Sequence, residues 1–328
     1  MSKKTVLVTG VSGYLGLHIA KALIDGGYDI RGTIRSPDKE AVVQRAILAE
    51  PGRLSFAVCD LTSDDGWAEA FRGVEALIHV ASPFILREPK DEQEYLRPAV
   101  EGTLRVMRFA RDAGVARTVV TSTYLTMAGH MLSGTFGPED KTPLGDPSLN
   151  AYIRSKVAAE LALWDFVSNE SSEMSVCTIH PGAILGPPLL TDSAGTSVST
   201  IKNMITGSVP GIPPISVPMV DVRDAALAHV MALESASAEK QRFIVCHPEP
   251  IHYSEVAAIL RRAGYAKVPK REIPEALIRA LAPFSREMRS MKAFVGKSVS
   301  ANISMSRKEL LWEPRPIEQT ILDTAAAL

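Results

Sequence analysis

Cysteine is scarce in this sequence, with three residues among 328. Cys59 and Cys177 lie in or at the ends of apolar runs and Cys246 follows another, and no two of them have the spacing of a metal site. Three such residues cannot form a disulfide framework. We therefore expect buried free thiols and no bound metal.

The chain also lacks long apolar runs and an excess of either charge. No run approaches the roughly 18 residues of a membrane-spanning helix. The 36 basic and 37 acidic residues leave a formal net charge of −1, and Met-Ser-Lys-Lys leads straight into a strand pattern rather than a signal sequence. These features predict a cytoplasmic protein that binds neither nucleic acid nor membrane.

Short β patterns alternate regularly with helical patterns. With 46% apolar residues, the chain can form one large α/β unit with an appended lobe. The predicted strands cover residues 5–9, 28–34, 54–59, 76–80, 118–121 and 176–179. The predicted helices lie near residues 17–24, 38–49, 64–72, 92–113 and 151–170. This order predicts a Rossmann-type α/β fold with a doubly wound parallel sheet.

A glycine-rich turn joins the first strand to the first helix. Residues 10–16 read Gly10-Val-Ser-Gly13-Tyr-Leu-Gly16. Such a turn presents unpaired backbone N–H groups and the positive end of a helix to an anion. The G-x-x-G-x-x-G spacing is weak alone, but the flanking strand and helix make it a predicted dinucleotide site.

The end of the second strand indicates which dinucleotide binds. An NAD enzyme carries an acidic residue there, about 20 residues past the glycines, to bind the ribose 2′-hydroxyl. Arg35 stands there instead, and a guanidinium pairs with a 2′-phosphate. We predict NADP(H), with Lys39 adding positive potential; a solvated arginine at a strand end is the alternative.

The composition changes after residue 180, where loops rich in proline and glycine begin. We predict an NADP-binding Rossmann domain over residues 1–180, to which residues 216–247 return. Residues 181–215 and 248–328 are predicted to form a smaller, discontinuous C-terminal substrate lobe. Ligands of open α/β sheets bind beyond the carboxyl ends of the strands, so the residues that follow the strands are candidates for the site.

Small and polar residues follow the third and fourth strands. Asp60 and Leu61 follow the third strand, where a short acid can accept a hydrogen bond from the adenine amino group. A turn or helix cap is the alternative role for Asp60. Ala81 and Ser82 follow the fourth strand, where the cofactor passes close to the backbone.

Tyr152 and Lys156 are the candidate chemical groups. Four residues apart on a helix, they lie on the same face, so the ammonium is expected to lower the tyrosine pKa from about 10. Thr123 can donate to a carbonyl oxygen as negative charge develops there during hydride attack, and Ser122 is the alternative hydroxyl. The pair alone is a weak signal, but the glycine turn and the hydroxyls beside it indicate a dehydrogenase or reductase.

These segments together resemble an extended short-chain dehydrogenase/reductase. The resemblance rests on Gly10-x-x-Gly13-x-x-Gly16, Arg35-Ser-Pro, Cys59-Asp-Leu61, His79-Val-Ala-Ser-Pro83, Val119-Val-Thr-Ser-Thr123 and Tyr152-x-x-x-Lys156. More narrowly, it points to the branch of dihydroflavonol reductases, cinnamoyl-CoA reductases and microbial carbonyl, aldehyde or methylglyoxal reductases. Thr123 stands where that branch usually has serine. The segment around Tyr152 lacks the aromatic and cysteine residues typical of cinnamoyl-CoA reductases, which disfavours a thioester substrate.

The resemblance implies an NADPH-dependent reductase of aldehydes or ketones. Tyr152 would protonate the carbonyl oxygen, Lys156 would bind the nicotinamide ribose, and Thr123 would orient the carbonyl. The implied cofactor contacts are Gly10, Ser12, Gly13, Tyr14, Leu15, Gly16, Arg35, Lys39, Asp60, Leu61, Val80, Ala81, Ser82, Tyr152, Lys156, Pro181 and Ile184. The predicted pocket, for a hydrophobic or aromatic carbonyl compound, contains Phe84, Thr123 and Met127.

Two other functions use the same residues. A nucleotide-sugar epimerase or dehydratase shares the fold and the tyrosine–lysine pair but generally retains NAD, which Arg35 disfavours. A non-enzymatic NADP-binding redox sensor typically lacks the tyrosine, which is present here as Tyr152. The expected partner is a small carbonyl or alcohol substrate, and both a monomer and a homodimer fit the sequence.

Overall fold

The computed structural model describes residues 4–82, 91–170, 173–190 and 195–328. The strands are β1 (Thr5–Thr9), β2 (Asp29–Ile34), β3 (Leu54–Val58), β4 (Ala76–His79), β5 (Arg117–Thr121), β6 (Ser133–Phe136), β7 (Ser175–Pro181), β8 (Ala183–Leu185), β9 (Ser216–Val217), β10 (Met219–Asp221), β11 (Arg242–Val245), β12 (Ile251–His252) and β13 (Ser298–Ala301). The helices are α1 (Tyr14–Asp25), α2 (Lys39–Ile47), α3 (Trp67–Ala70), α4 (Gln93–Asp112), α5 (Leu125–Ala128), α6 (Ala151–Glu170), α7 (Thr196–Thr206), α8 (Val222–Glu234), α9 (Tyr253–Arg262), α10 (Glu275–Leu281), α11 (Arg286–Lys292), α12 (Ser304–Leu310) and α13 (Ile317–Ala326).

The central sheet has seven parallel strands in the order β11-β7-β5-β4-β1-β2-β3. The chain winds outward in both directions from β1, so the connections reverse between β1 and β4. A crevice forms at such a switch point, beyond the carboxyl ends of the strands, and ligands bind there. The predicted doubly wound sheet is confirmed.

Except for the edge strand β3, the strands of the sheet are largely buried on both faces, which explains their nearly continuous apolar sequences. Along β1, Val6 and Val8 join the core on the side of α1 and α8, whereas Leu7 joins the core on the opposite side, with Trp67 of α3 and Met107 of α4. Successive strand residues point to opposite faces, so both helical layers are held by the same five-residue strand.

Smaller elements extend from the carboxyl end of the sheet. Three two-stranded ladders pair β8 with β10, β9 with β12 and β6 with β13. A separate apolar core lies among α7, α9, α10 and α13. Among the described residues, no helix is both long and apolar enough to span a membrane.

The chain returns to the central sheet and its helical layer after residue 216. The strand β11 pairs with β7, and α8 packs against α1. Residues beyond 298 also contact this part of the fold, since the Ser306 hydroxyl donates to the Ile244 carbonyl of β11 at 2.6 Å and the Trp312 indole donates to the Asp224 carbonyl of α8 at 2.9 Å. The domain boundaries themselves stay a prediction.

Candidate active site

The glycine turn after β1 leaves no room for larger residues. Gly10 has a φ of +66°, and a Cβ there would lie 3.1 Å from the Ala81 Cα. A Cβ on Gly16 would lie 2.3 Å from the Gly10 carbonyl oxygen, well inside van der Waals contact. The turn therefore brings the start of α1 against the loop that follows β4.

The start of α1 has the properties of an anion site. Gly13 is the N-cap, no side chain caps the helix, and the first turn contains no acidic residue. Within the described ranges, the amides of Ser12, Tyr14 and Leu15 donate to no protein acceptor. Free amides at a positive helix end fit the pyrophosphate of a dinucleotide, so the turn is compatible with the predicted cofactor.

The ends of β2 and β3 lie close together. Arg35 is exposed, and its charge contributes to a lowered pKa of Asp60. The main cause of that lowered pKa is the hydrogen bonding of Asp60 with Thr62, whose hydroxyl and amide donate at 2.5 and 2.7 Å. Asp60 therefore stabilises a turn, which was the alternative role predicted for it. Its adenine contact stays a prediction.

The neighbouring candidates occupy different surroundings. Leu61 packs against α4, where a Cβ on Gly102 would lie 3.0 Å from the Leu61 Cβ. Lys39 is exposed, with its ammonium 3.9 Å from Asp38. The cofactor contacts of Leu61 and Lys39 stay predictions.

The loop after β4 is held by the Thr9 hydroxyl. The amides of Val80 and Ala81 each donate to it at 3.0 Å, and it lies 2.8 Å from His79 Nδ1. Burial, with a smaller contribution from the Lys156 charge, lowers the His79 pKa to about 4. The imidazole is therefore neutral, and its Nδ1 accepts the Thr9 proton.

The sequence motifs assign no role to the Thr9 hydroxyl or to the His79 imidazole. Each ends one of two adjacent strands, and the register pairs them directly. Polar residues at the ends of neighbouring strands were the signal that could have revealed this contact. Together they set the path of the loop at residues 80–82.

Tyr152 and Lys156 lie on one face of α6, as predicted. The Lys156 ammonium donates to the Ser82 hydroxyl at 2.6 Å and lies 5.6 Å from the centre of the Tyr152 ring. This contact joins α6 to the end of β4, beside the switch point of the sheet. The candidate chemical groups and the loop of the predicted cofactor site are therefore adjacent.

The expected lowering of the Tyr152 pKa is wrong for this structure. Burial raises the Tyr152 pKa to about 12 and lowers the Lys156 pKa to about 8. The ammonium lies over the ring, and the cost of burying a phenolate exceeds its attraction. The phenol is therefore protonated near neutral pH.

The two hydroxyls after β5 have different partners. The Ser122 hydroxyl donates to Glu160, which is buried on α6. The Thr123 hydroxyl accepts only a long bond of 3.4 Å from the Leu125 amide among the described residues. Ser122 is thus committed to a buried carboxylate, and this arrangement favours Thr123 as the hydroxyl of the site.

The remaining predicted contacts have separate outcomes. Pro181 is buried in β7, where its carbonyl accepts from the Tyr124 amide at 3.1 Å, and Ile184 is half-buried in β8. The assignment of Met127 to the pocket is corrected, because this side chain has no exposed surface and packs in the hydrophobic core. Phe84 lies outside the described residues.

Tyr14 has a structural contact that its place in the turn did not predict. Its hydroxyl donates to the Gly186 carbonyl at 2.8 Å, and the Gly186 amide donates to Thr324 at 2.7 Å. Burial, followed by the negative charge of Asp221, raises the Tyr14 pKa. The Tyr14 side chain therefore ties α1 to the loop after β8 and to α13, and its amide remains available for an anion.

The sequence of the chain matches a known family over most of its length. The model of the NAD dependent epimerase/dehydratase family matches residues 6–246. The chain belongs to this family. The resemblance to extended short-chain dehydrogenases/reductases is thereby confirmed.

Relatives within this family include named reductases. The chain is 33% identical over 282 residues to a cinnamoyl-CoA reductase from Medicago truncatula, covering 82% of each chain. The crystal structure of Gre2 from Candida albicans in complex with NADPH superposes with a TM-score of 0.82 at 25% identity, covering 99% of this chain and 98% of that one. Yeast methylglyoxal/isovaleraldehyde reductase Gre2, complexed with NADPH, has a TM-score of 0.80 at 23% identity, with coverage of 98% and 97%. These superpositions extend the agreement in fold beyond residue 246 to nearly the whole chain.

Proposed function

We propose that this protein is an NADPH-dependent reductase that converts aldehydes or ketones to alcohols. The observation that carries the proposal is the contact of Lys156 with both Ser82 and the Tyr152 ring. It puts a proton donor and a cation beside the switch point, where this fold binds dinucleotides. Relatives that are named reductases, two of them in complex with NADPH, support the same activity.

The residues that would hold NADPH come from three loops. The free amides of the glycine turn at residues 10–16 suit the pyrophosphate, and the exposed guanidinium of Arg35 suits the 2′-phosphate. The loop at residues 80–82, held by Thr9, would line the cofactor path. Pro181 and Ile184 are proposed to lie near the nicotinamide.

The chemistry then follows from three side chains. NADPH, when bound, supplies the hydride that adds to the carbonyl carbon. As negative charge develops on the carbonyl oxygen, Tyr152 donates its proton to it and Thr123 donates a hydrogen bond. The Tyr152 pKa of about 12 keeps the phenol protonated before reduction, and the Lys156 ammonium stabilises the phenolate that remains afterwards.

The finer features of the proposal concern the substrate and the setting of the enzyme. We propose a hydrophobic or aromatic carbonyl compound rather than a thioester, because the segment around Tyr152 lacks the residues typical of cinnamoyl-CoA reductases. The balanced charge favours a cytoplasmic enzyme without nucleic-acid or membrane partners, acting as a monomer or homodimer.

An assay of NADPH consumption tests this function. The purified protein is mixed with NADPH and a panel of aromatic aldehydes, aliphatic ketones and diketones, and the absorbance of NADPH is followed. We expect oxidation with at least one substrate class and the reverse reaction with the matching alcohol and NADP. Failure with the whole panel would contradict the proposal, and tightly co-purified NAD in that case would support the epimerase.

A further inference from the structure

The helix that carries Tyr152 and Lys156 places a third functional candidate at the same spacing. Glu160 lies four residues beyond Lys156 on α6, so the three side chains follow one another along one side of the helix. The Glu160 side chain is only 6% exposed. Buried carboxylates are rare without partners, and each oxygen of this one is hydrogen-bonded.

The two oxygens of Glu160 bind different parts of the protein. Oε1 accepts from Arg242 at 2.8 Å and from the Trp164 indole at 3.3 Å. Oε2 accepts from the Ser122 hydroxyl, directly before Thr123 in the chain. Burial alone would raise the Glu160 pKa, but the Arg242 charge and the hydrogen bonds from the Ser122 and Thr126 hydroxyls lower it, so the carboxylate is ionised.

His180 contacts the same loop beside Glu160, with its Nε2 3.6 Å from Glu160 Oε1. Its Nδ1 lies 3.1 Å from the Thr123 carbonyl oxygen, which can only accept, so Nδ1 carries the proton and donates. Burial lowers the His180 pKa, which makes the ring neutral, and Nε2 then accepts from the Thr178 hydroxyl at 2.8 Å. The main chain around Thr123 is thus held at Ser122 by Glu160 and at its own carbonyl by His180.

We propose that Glu160 and His180 are positioning residues for the Thr123 hydroxyl. The helix α6 then positions both donors. It carries Tyr152 itself, and it holds the loop of Thr123 through the contact of Glu160 with Ser122. This inference rests on the proposed function, which gives Thr123 its role. A displacement of about 1 Å at such a group can reduce turnover about 100-fold.

Stability alone does not account for the arrangement. A buried ion pair can often be replaced by apolar residues without loss of stability, since desolvation offsets the attraction. Arg242 and Trp164 would satisfy one oxygen of Glu160 in a purely structural pair. The second oxygen is directed at the loop that carries Thr123.

Variants at Ser122 test the link without unpairing a buried charge. We expect Ser122→Ala to lower kcat about 10-fold with an unchanged KM for NADPH, and Ser122→Thr, which keeps the hydroxyl, to restore most of the loss. Trp164→Phe removes another hydrogen bond of Glu160, on the side away from the loop, and is the matched control with unchanged kcat. Thr123→Val is expected to lower kcat about 100-fold.

Glu160→Gln completes a double-mutant cycle. We expect a kcat loss similar to that of Ser122→Ala, with little further loss when the two changes are combined, because both break the same contact. Additive losses, or a normal kcat in Ser122→Ala, would overturn the inference. A larger loss in Ser122→Ala than in Thr123→Val would also overturn it, because Ser122 would then be the hydroxyl that contacts substrate.

Amide hydrogen exchange over residues 122–128 provides a readout that does not need activity. We expect faster exchange there in Ser122→Ala than in Trp164→Phe or the unmodified protein. Faster exchange together with no reductase activity in the unmodified protein would refute the proposed function and leave the structural link intact. Unchanged exchange would refute the positioning network itself.

Discussion

Two cations at helix α6 differ in whether a carboxylate neutralises them. Arg242 is hydrogen-bonded to the Glu160 carboxylate at 2.8 Å, and it also donates to the carbonyl oxygens of Pro138 and Asp140. Lys156 contacts a hydroxyl and an aromatic ring, and within the described ranges no carboxylate pairs with it. The Arg242 charge, which contributes to the fold, is paired with a carboxylate. The Lys156 charge, which we assign to cofactor binding, is not.

A related contrast separates two arginines of one chain segment, one hydrogen-bonded within the protein and one exposed. Arg31, within β2, donates to the carbonyl oxygens of Glu69, Ala70 and Arg72 at 2.7–3.3 Å. Arg35, just beyond the end of β2, is exposed. A guanidinium with all its partners in the protein contributes to the fold, whereas one at the open edge of the sheet is available to a phosphate.

The largest expected effect comes from removing the proton donor. Tyr152→Phe should lower kcat about 1000-fold, because the developing alkoxide loses its acid. It should leave the Kd for NADPH and the melting temperature nearly unchanged, since no charge is unpaired. Steady-state kinetics measures kcat, NADPH titration measures the Kd, and thermal unfolding measures the melting temperature. Tyr28→Phe, which removes a surface hydrogen bond to Glu234, is the control; a normal kcat in Tyr152→Phe would refute the assignment.

A smaller effect is expected at the edge of the cofactor site. Arg35→Asp should lower the ratio of kcat/KM for NADPH to that for NADH about 100-fold, since a charge-assisted bond is lost and a repulsion is added. Arg307→Asp makes the same charge change on α12, which packs beside β11 at the far edge of the sheet. An unaltered ratio in Arg35→Asp would mean that another group binds the 2′-phosphate.

The smallest effect concerns the stability of the ligand-free protein. The Lys156 pKa of about 8 lies below the ordinary lysine value, so below pH 8 the folded protein carries a charge that opposes folding. Lys156→Met should therefore raise the free energy of unfolding at pH 7, by about 1 kcal/mol after allowance for solvent screening.

The pH dependence checks the sign of this effect. Between pH 8 and about 10.4 the unfolded chain binds more protons at Lys156 than the folded one, so the penalty on the unmodified protein declines as pH rises. Urea unfolding at pH 7 and pH 10 should show the gain of Lys156→Met shrinking. A loss of stability at pH 7 would show that the Ser82 contact outweighs the buried charge.

Much of the fold was predictable because its signals are local. The apolar runs ended within about two residues of the observed strands β1 to β5, since strands buried on both faces need continuous apolar sequence. Tyr152 and Lys156 were also paired correctly, because four residues on a helix always share a face. Met127 was placed wrongly because no local pattern distinguishes a core methionine from one that lines a pocket.

By itself, the sequence determined the α/β fold, the glycine turn at a helix start and the placement of Tyr152 beside Lys156, since each is indicated by a pattern of residues close together in the chain. Only the tertiary structure decided that Ser122 binds Glu160, that Thr9 and His79 hold the loop after β4, and that Tyr152 is protonated near neutral pH. Those outcomes depend on burial and on partners 38 to 70 residues away in the chain, which no local pattern encodes.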